Sequence, residues 1–164
     1  MTRINECLDC GCYDEDYGCT MPLIDKTYAC PLSYRELKFF LPMIPPTVTA
    51  QMHKVTVRNG HPVFYDPPEV KDAKNKLTAA LIKHKPDAPY TRGVRLEARW
   101  CFPKGRHEDG EYRTTRPDTD NLQKLLKDCM TAVGFWTDDA LVASETIEKF
   151  WSDIPGIFIR IYEI

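Results

Sequence analysis

Acidic side chains gather in a short part of the sequence. Asp118 and Asp120 are separated by one residue, and Asp138 and Asp139 form a pair further along. Carboxylate oxygens are the protein ligands that Mg²⁺ prefers, and the ion keeps several waters when it is bound. An ion held in this way can polarise a phosphate ester and activate water for its hydrolysis. Lys124, one helical turn after Asp120, can orient that water or stabilise negative charge that develops on the phosphate.

The same residues also have a structural interpretation. An Asp at a helix start is common, and the Asp120/Lys124 spacing is that of an ordinary i,i+4 pair on a solvated helix face. An acidic pair after Thr137 is typical of an exposed turn. Residue types and spacing alone therefore leave both a metal site and a solvated surface open.

A helix must position these side chains. The sequence predicts it over about 120–133, closed by Gly134. At ~100° per residue, Asp120, Lys124 and Asp128 share one narrow sector of this helix. Asp118 lies just outside its start, where an acid can cap free backbone N–H groups. The opposite face carries the apolar stripe Leu122, Leu125, Leu126, Cys129, Met130 and Val133.

The remaining elements follow from periodicity and turn residues. The Asn59-Gly60 pair predicts a hairpin between two alternating runs, and Pro68 can open a helix that runs to about Lys83. A polar loop is expected over 103–117. The predicted order of strands, hairpin and helices is that of a mixed α/β domain with helices packed on a sheet. Strands are expected at 37–43, 54–58, 61–65, 94–102, 141–142, 145–150 and 156–161, the last as an apolar and aromatic edge.

The segment 116–124 reads Arg-Pro-Asp-x-Asp-Asn-Leu-x-Lys, and Asp128, Gly134 and Trp-x-Asp-Asp at 136–139 follow it. This pattern resembles the RusA family of phage and prophage Holliday junction resolvases. The resemblance implies a RusA-like α/β (α+β) fold and a homodimer that cleaves four-way DNA junctions in recombination and repair. It implies Mg²⁺ as the cofactor, with Mn²⁺ as a substitute, and it implies that the protein acts in the bacterial cytoplasm.

Residue roles carry over by motif position. The resemblance implies that Asp118, Asp120 and Asp139 bind metal and act in catalysis together with Lys124. Asp138 is the neighbouring acid that can assist or replace Asp139. Asp128 is expected to be structural, paired with Lys124 or with a base from the sheet.

Charge is unevenly distributed along the chain. The net charge is −2, but residues 1–36 carry seven acids and three bases, and the window 92–116 carries seven bases and four acids. The slightly negative net charge excludes a simple DNA-coating protein, and the excess of bases in the window 92–116 fits a local basic surface. Single bases such as Lys83, Lys85 and Lys149 are expected to be solvated charges. The candidates for phosphate contacts are Arg116, Arg113, Arg106, Lys104, Lys54 and Arg58.

A cysteine-rich module is predicted at 1–35, ahead of a nuclease domain at 36–164. No apolar segment near Met1 indicates secretion, so disulfides are disfavoured. Thiolates can hold a tetrahedral Zn²⁺ that orders a short segment. Thiols packed on the nuclease domain, or a metal-sensitive arm, are the alternatives, and the acidic charge favours a role in protein interaction or folding. The cysteines concerned are Cys7, Cys10, Cys12, Cys19 and Cys30.

Three functions compete at this point. The first is a dimeric, metal-dependent endonuclease acting on branched DNA. The second is a non-catalytic adaptor that binds branched DNA within a replication or recombination complex. The third is a nuclease that acts on flaps or forks. No run approaches the ~20 apolar residues of a membrane span, so a membrane partner is not expected.

Overall fold

The computed structural model describes residues 13–14, 18–19, 35–48, 54–58 and 60–164. The chain divides into two units, Met1–Arg35 and Glu36–Ile164. In the first unit, the described residues form two short antiparallel strands, β1 (Tyr13–Asp14) and β2 (Gly18–Cys19).

The second unit contains a four-stranded mixed sheet, two helices and a separate hairpin. The sheet order is β3-β8-β6-β7, in which β6 and β7 are parallel and the other pairs antiparallel. This confirms the predicted mixed sheet with helices packed on it. The strands are β3 (Glu36–Pro42), β4 (Lys54–Arg58), β5 (His61–Tyr65), β6 (Val94–Pro103), β7 (Val142–Ser152) and β8 (Gly156–Glu163); the helices are α1 (Pro68–Ile82) and α2 (Thr119–Val133).

The core lies between the helices and one face of this sheet. Alternation along β6 buries Leu96, Ala98 and Trp100 to 1% exposure or less, while Arg95 and Arg99 face away. The apolar stripe of α2 is buried along its whole length, as predicted. Gly134 ends α2 with φ of 92°, a left-handed backbone conformation that glycine adopts without a steric penalty. No helix among the described residues is long and apolar enough to span a membrane.

Two strand predictions were wrong. β7 is one continuous strand rather than two short pieces, because Ser144, which lies between them, pairs with Arg95 and the pairing with β6 continues from there without interruption. β8 lies inside the sheet between β3 and β6, not at its edge. Its residues Ile157, Ile159 and Ile161 are fully buried against the helices. Such pairing depends on distant parts of the chain, which a local pattern does not reveal.

Candidate active site

The crossover from β6 through α2 to β7 determines where the acidic motif lies. Because β6 and β7 are parallel neighbours, the helix between them must run back against the strands. Lys149, near the end of β7, reaches the carbonyl oxygen of Pro117 at 2.7 Å, while Lys127 pairs with Glu145 at 3.1 Å. The start of α2 therefore lies at the carboxyl edge of these two strands, where ligands bind in many α/β proteins.

Asp118, Asp120 and Lys124 lie together at the start of α2 and are exposed. Asp118 occupies the N-cap position in an extended conformation, but its side chain accepts no capping hydrogen bond, so the predicted capping role was wrong. Among the described residues, none of these three side chains has a hydrogen-bond or ion-pair partner. The Asp120/Lys124 ion pair of the structural interpretation is accordingly not formed.

The pair Asp138-Asp139 lies on a short 3-10 turn, Asp139–Leu141, just before β7. The Asp138 carboxylate accepts a hydrogen bond from the backbone N–H of Ala140 at 2.8 Å and so caps this turn. Asp139 is exposed and, within the described part of the chain, has no such partner. The two neighbouring acids therefore differ: one supports the backbone, and the other is available to an external ligand.

The chain does not bring Asp139 to the other two acids. Asp118 is near Lys149 at the carboxyl end of β7, whereas Asp139 precedes Val142 at the amino end of that strand. Seven residues of extended strand between Val142 and Lys149 span about 23 Å. Consistently, the described residues contain no group of three or more His, Cys, Asp or Glu side chains that could hold a metal ion. Exposed, unpaired carboxylates fit the donor chemistry of Mg²⁺, but one chain presents them at two places.

The candidate phosphate-binding residues divide into two groups. The side chains of Arg106 and Arg116 are exposed, and among the described residues neither is paired. Lys104, by contrast, forms an ion pair with Asp153 at 2.9 Å. The guanidinium of Arg113 lies over the rings of Phe102 and Trp151, with its carbon 4.0 and 4.5 Å from their centroids. For Lys54 and Arg58 the structure describes the backbone of β4 but not the side chains.

The loop before the acids is held against the sheet. Backbone N–H groups of Gly110 and Arg113 donate to the carbonyls of Trp151 and Lys149, and the Trp151 N–H donates to Glu111, all within 2.9 Å. The predicted polar loop thus follows the edge of β7, and it leads directly into Asp118.

The sequence pattern predicts Lys149 to be a solvated charge and does not reveal its contact with the loop before α2. Its cross-strand neighbour is Trp100, which is fully buried on the helix side of the sheet. Alternation along β7 places Ile147, Lys149 and Trp151 on this side, and a lysine at such an inward position is the signal that could have identified it.

Two further predictions have different outcomes. Asp128 forms no ion pair with Lys124 or a sheet base among the described residues; the cation that its charge acts on is Lys74 of α1. The zinc site stays a prediction. Its cysteines lie outside the described residues, except Cys19, of which only the backbone is described.

Known proteins of similar sequence share the segment that carries these side chains. A family model described as endodeoxyribonuclease RusA matches residues 44–162. The chain is 30% identical over 132 residues to the crossover junction endodeoxyribonuclease rusA of Lactococcus phage r1t, covering 79% of this chain and 98% of that protein. It is 28% identical over 121 residues to the uncharacterized protein YqaN of Bacillus subtilis (strain 168), covering 66% of this chain and 84% of that protein. The family match includes the acidic motif and begins after the cysteine-rich segment.

Proposed function

The chain belongs to the RusA family of endodeoxyribonucleases, and we propose that it resolves four-way DNA junctions by hydrolysing phosphodiester bonds in DNA recombination and repair. The observation that carries this proposal is the start of α2, where Asp118, Asp120 and Lys124 are exposed and have no partners among the described residues. Side chains left free in this way are available to a metal ion and to a phosphate. A phage or prophage enzyme of this kind acts on DNA in the bacterial cytoplasm.

Each of these residues has a role in the proposed reaction. Asp118 and Asp120 hold Mg²⁺, for which Mn²⁺ can substitute. The bound ion supplies polarisation of the phosphate and a water of lowered pKa. Lys124 donates a hydrogen bond to the scissile phosphate and stabilises its developing charge. Arg116 and Arg106 bind neighbouring phosphates, because their guanidinium groups are exposed and can bond phosphate oxygens in pairs.

We propose further that the active unit is a homodimer in which Asp139 of the partner subunit completes the ligand set. Resolution of a four-way junction needs two cuts, and a twofold dimer supplies two equivalent sites. The separation of Asp139 from Asp118 within one chain supports a contribution from a second copy. The hairpin offers an apolar surface for such a contact, since Val55 and Val57 are 54% and 68% exposed.

The substitution Asp120→Asn tests the site. It removes a carboxylate charge at nearly constant shape, so Mg²⁺-dependent cutting of a four-way junction should be lost while junction binding in a gel shift with Ca²⁺ persists. Asp72→Asn is the matched control, because Asp72 is an exposed acid on α1 that pairs with Lys76. Flap and linear duplex substrates, assayed in parallel, distinguish junction resolution from other nuclease activities. Undiminished cutting by Asp120→Asn would refute the assignment.

A further inference from the structure

Lys149 is a cation directed at backbone rather than at solvent. Its ammonium group donates to the carbonyl oxygen of Thr115 at 2.9 Å and to that of Pro117 at 2.7 Å. Partial burial, together with the nearby charge of Arg113, lowers the pKa of Lys149, and Asp118 acts against this shift. This lysine therefore touches the residues immediately before a proposed metal ligand.

Arg113 acts on the same stretch of backbone. Its Nε donates to the hydroxyl of Thr115 at 3.2 Å, and a terminal nitrogen donates to the carbonyl oxygen of Arg116. Its guanidinium packs over the buried ring of Phe102 and the ring of Trp151.

Together the two side chains bind every carbonyl of 115–117. Lys149 binds the first and the third, and Arg113 binds the second. This stretch lies between the part of the loop that pairs with β7 and the first turn of α2, and its backbone forms no sheet or helix hydrogen bond with the residues that the structure describes. The side chain of Asp118 does not bond to the helix start either. Hydrogen bonds from the two cations therefore hold the backbone immediately before Asp118.

We propose that Lys149, supported by Arg113, is a positioning residue that sets Asp118 for metal binding. The proposal rests on the proposed function, in which Asp118 is a metal ligand. Residues that orient metal ligands typically contribute 10- to 100-fold to metal affinity. Neither cation needs to contact the ion or the DNA to do so, since both act through the 115–117 backbone.

The experiment compares Lys149→Met and Lys149→Arg with wild type as the full-length protein. Direct Mn²⁺ binding, measured by electron paramagnetic resonance without DNA, should weaken by about 10- to 100-fold in Lys149→Met. The Mg²⁺ concentration for half-maximal junction cutting should rise by a similar factor. Lys149→Arg keeps a donor cation and should restore most of the affinity. Lys76→Met is the matched control, because Lys76 is an exposed lysine on α1 that pairs with Asp72.

Several outcomes would overturn the proposal. Unchanged Mn²⁺ affinity in Lys149→Met would show that the contacts do not position a ligand. Loss of junction binding in Ca²⁺ with normal Mn²⁺ affinity would make Lys149 a DNA contact instead. If thermal unfolding shows that Lys149→Met does not fold, Arg113→Lys tests the same prediction, since it keeps the charge and loses the planar stack. A wild type that binds Mn²⁺ but does not cut junctions would refute the proposed function and leave the Mn²⁺ comparison valid.

Discussion

Two inactive variants should restore activity when they share a dimer. Asp120 and Asp139 lie at opposite ends of β7 within one chain, so each proposed site combines Asp120 of one subunit with Asp139 of the other. In a mixed dimer of Asp120→Asn and Asp139→Asn, one site carries both substitutions and the second site carries neither. If each chain instead formed its own site, both sites of the mixed dimer would be damaged.

The expected magnitude follows from this arrangement. Each variant alone should lose about 100-fold or more of its cutting rate, because even residues that only orient a metal ligand contribute 10- to 100-fold. Random assortment of equal amounts gives about half mixed dimers with one intact site of two, so about one quarter of the wild-type sites return. Isolated mixed dimers should reach about half.

The assay uses two affinity tags. The variants are co-expressed, the mixed dimer is purified through both tags in succession, and nicking of a four-way junction in Mg²⁺ is followed over time. Nicking should exceed paired cutting, because the mixed dimer has one working site. A mixed dimer as inactive as its parents, with junction binding intact, would refute the shared site and place all the ligands of a site in one chain.

Two further predictions follow from individual hydrogen bonds. Asp138→Ala removes the cap of the 3-10 turn, so it should lower the free energy of unfolding by about 1 kcal/mol and the melting temperature by about 2–4 °C, with cutting retained. Asp139→Asn should leave the melting temperature nearly unchanged. A loss of cutting at normal stability in Asp138→Ala would make Asp138 the ligand. The N–H of Asp153 and the hydroxyl of Ser152 donate to Asp109 and hold its pKa below the usual 3.8, so folding favours the ionised form. That stabilisation is present above pH 3.8 and is lost as the pH falls through the lowered folded-state pKa. Urea denaturation should therefore show Asp109→Asn less stable than wild type at pH 7, with a difference that shrinks in acid; a difference independent of pH would contradict this.

The parts of the fold that local signals determine could be predicted from the sequence. Asn59-Gly60 located both strands of the hairpin, and the apolar stripe with Gly134 located α2 to within a residue at its start. In both cases the pattern and the turn residue lie within the element itself. The acidic motif was found for the same reason, since Asp118, Asp120 and Lys124 depend on a single helix start.

Features that depend on pairing between distant parts of the chain could not be predicted from local sequence patterns. The place of β8 inside the sheet and the continuity of β7 follow from which strands become neighbours. The separation of Asp139 from Asp118 has the same origin, because it follows from a helix that runs back along β7. The orientation of Arg113 towards Phe102 and Trp151 likewise required the loop to be placed along β7.

The hydrogen-bond acceptors of the nearby cations explain why Asp118 and Asp120 have no ion-pair partner among the described residues. Lys149 and Arg113 bind the backbone just before α2, and their hydrogen bonds go to carbonyl oxygens and a hydroxyl rather than to Asp118 or Asp120. A salt bridge to either acid would have to be broken before a metal ion could bind. Neutral acceptors hold the two cations in place, so the cations leave the carboxylate oxygens unoccupied. The neutral acceptors of these two cations therefore leave Asp118 and Asp120 available to a metal ion, as the proposed function requires.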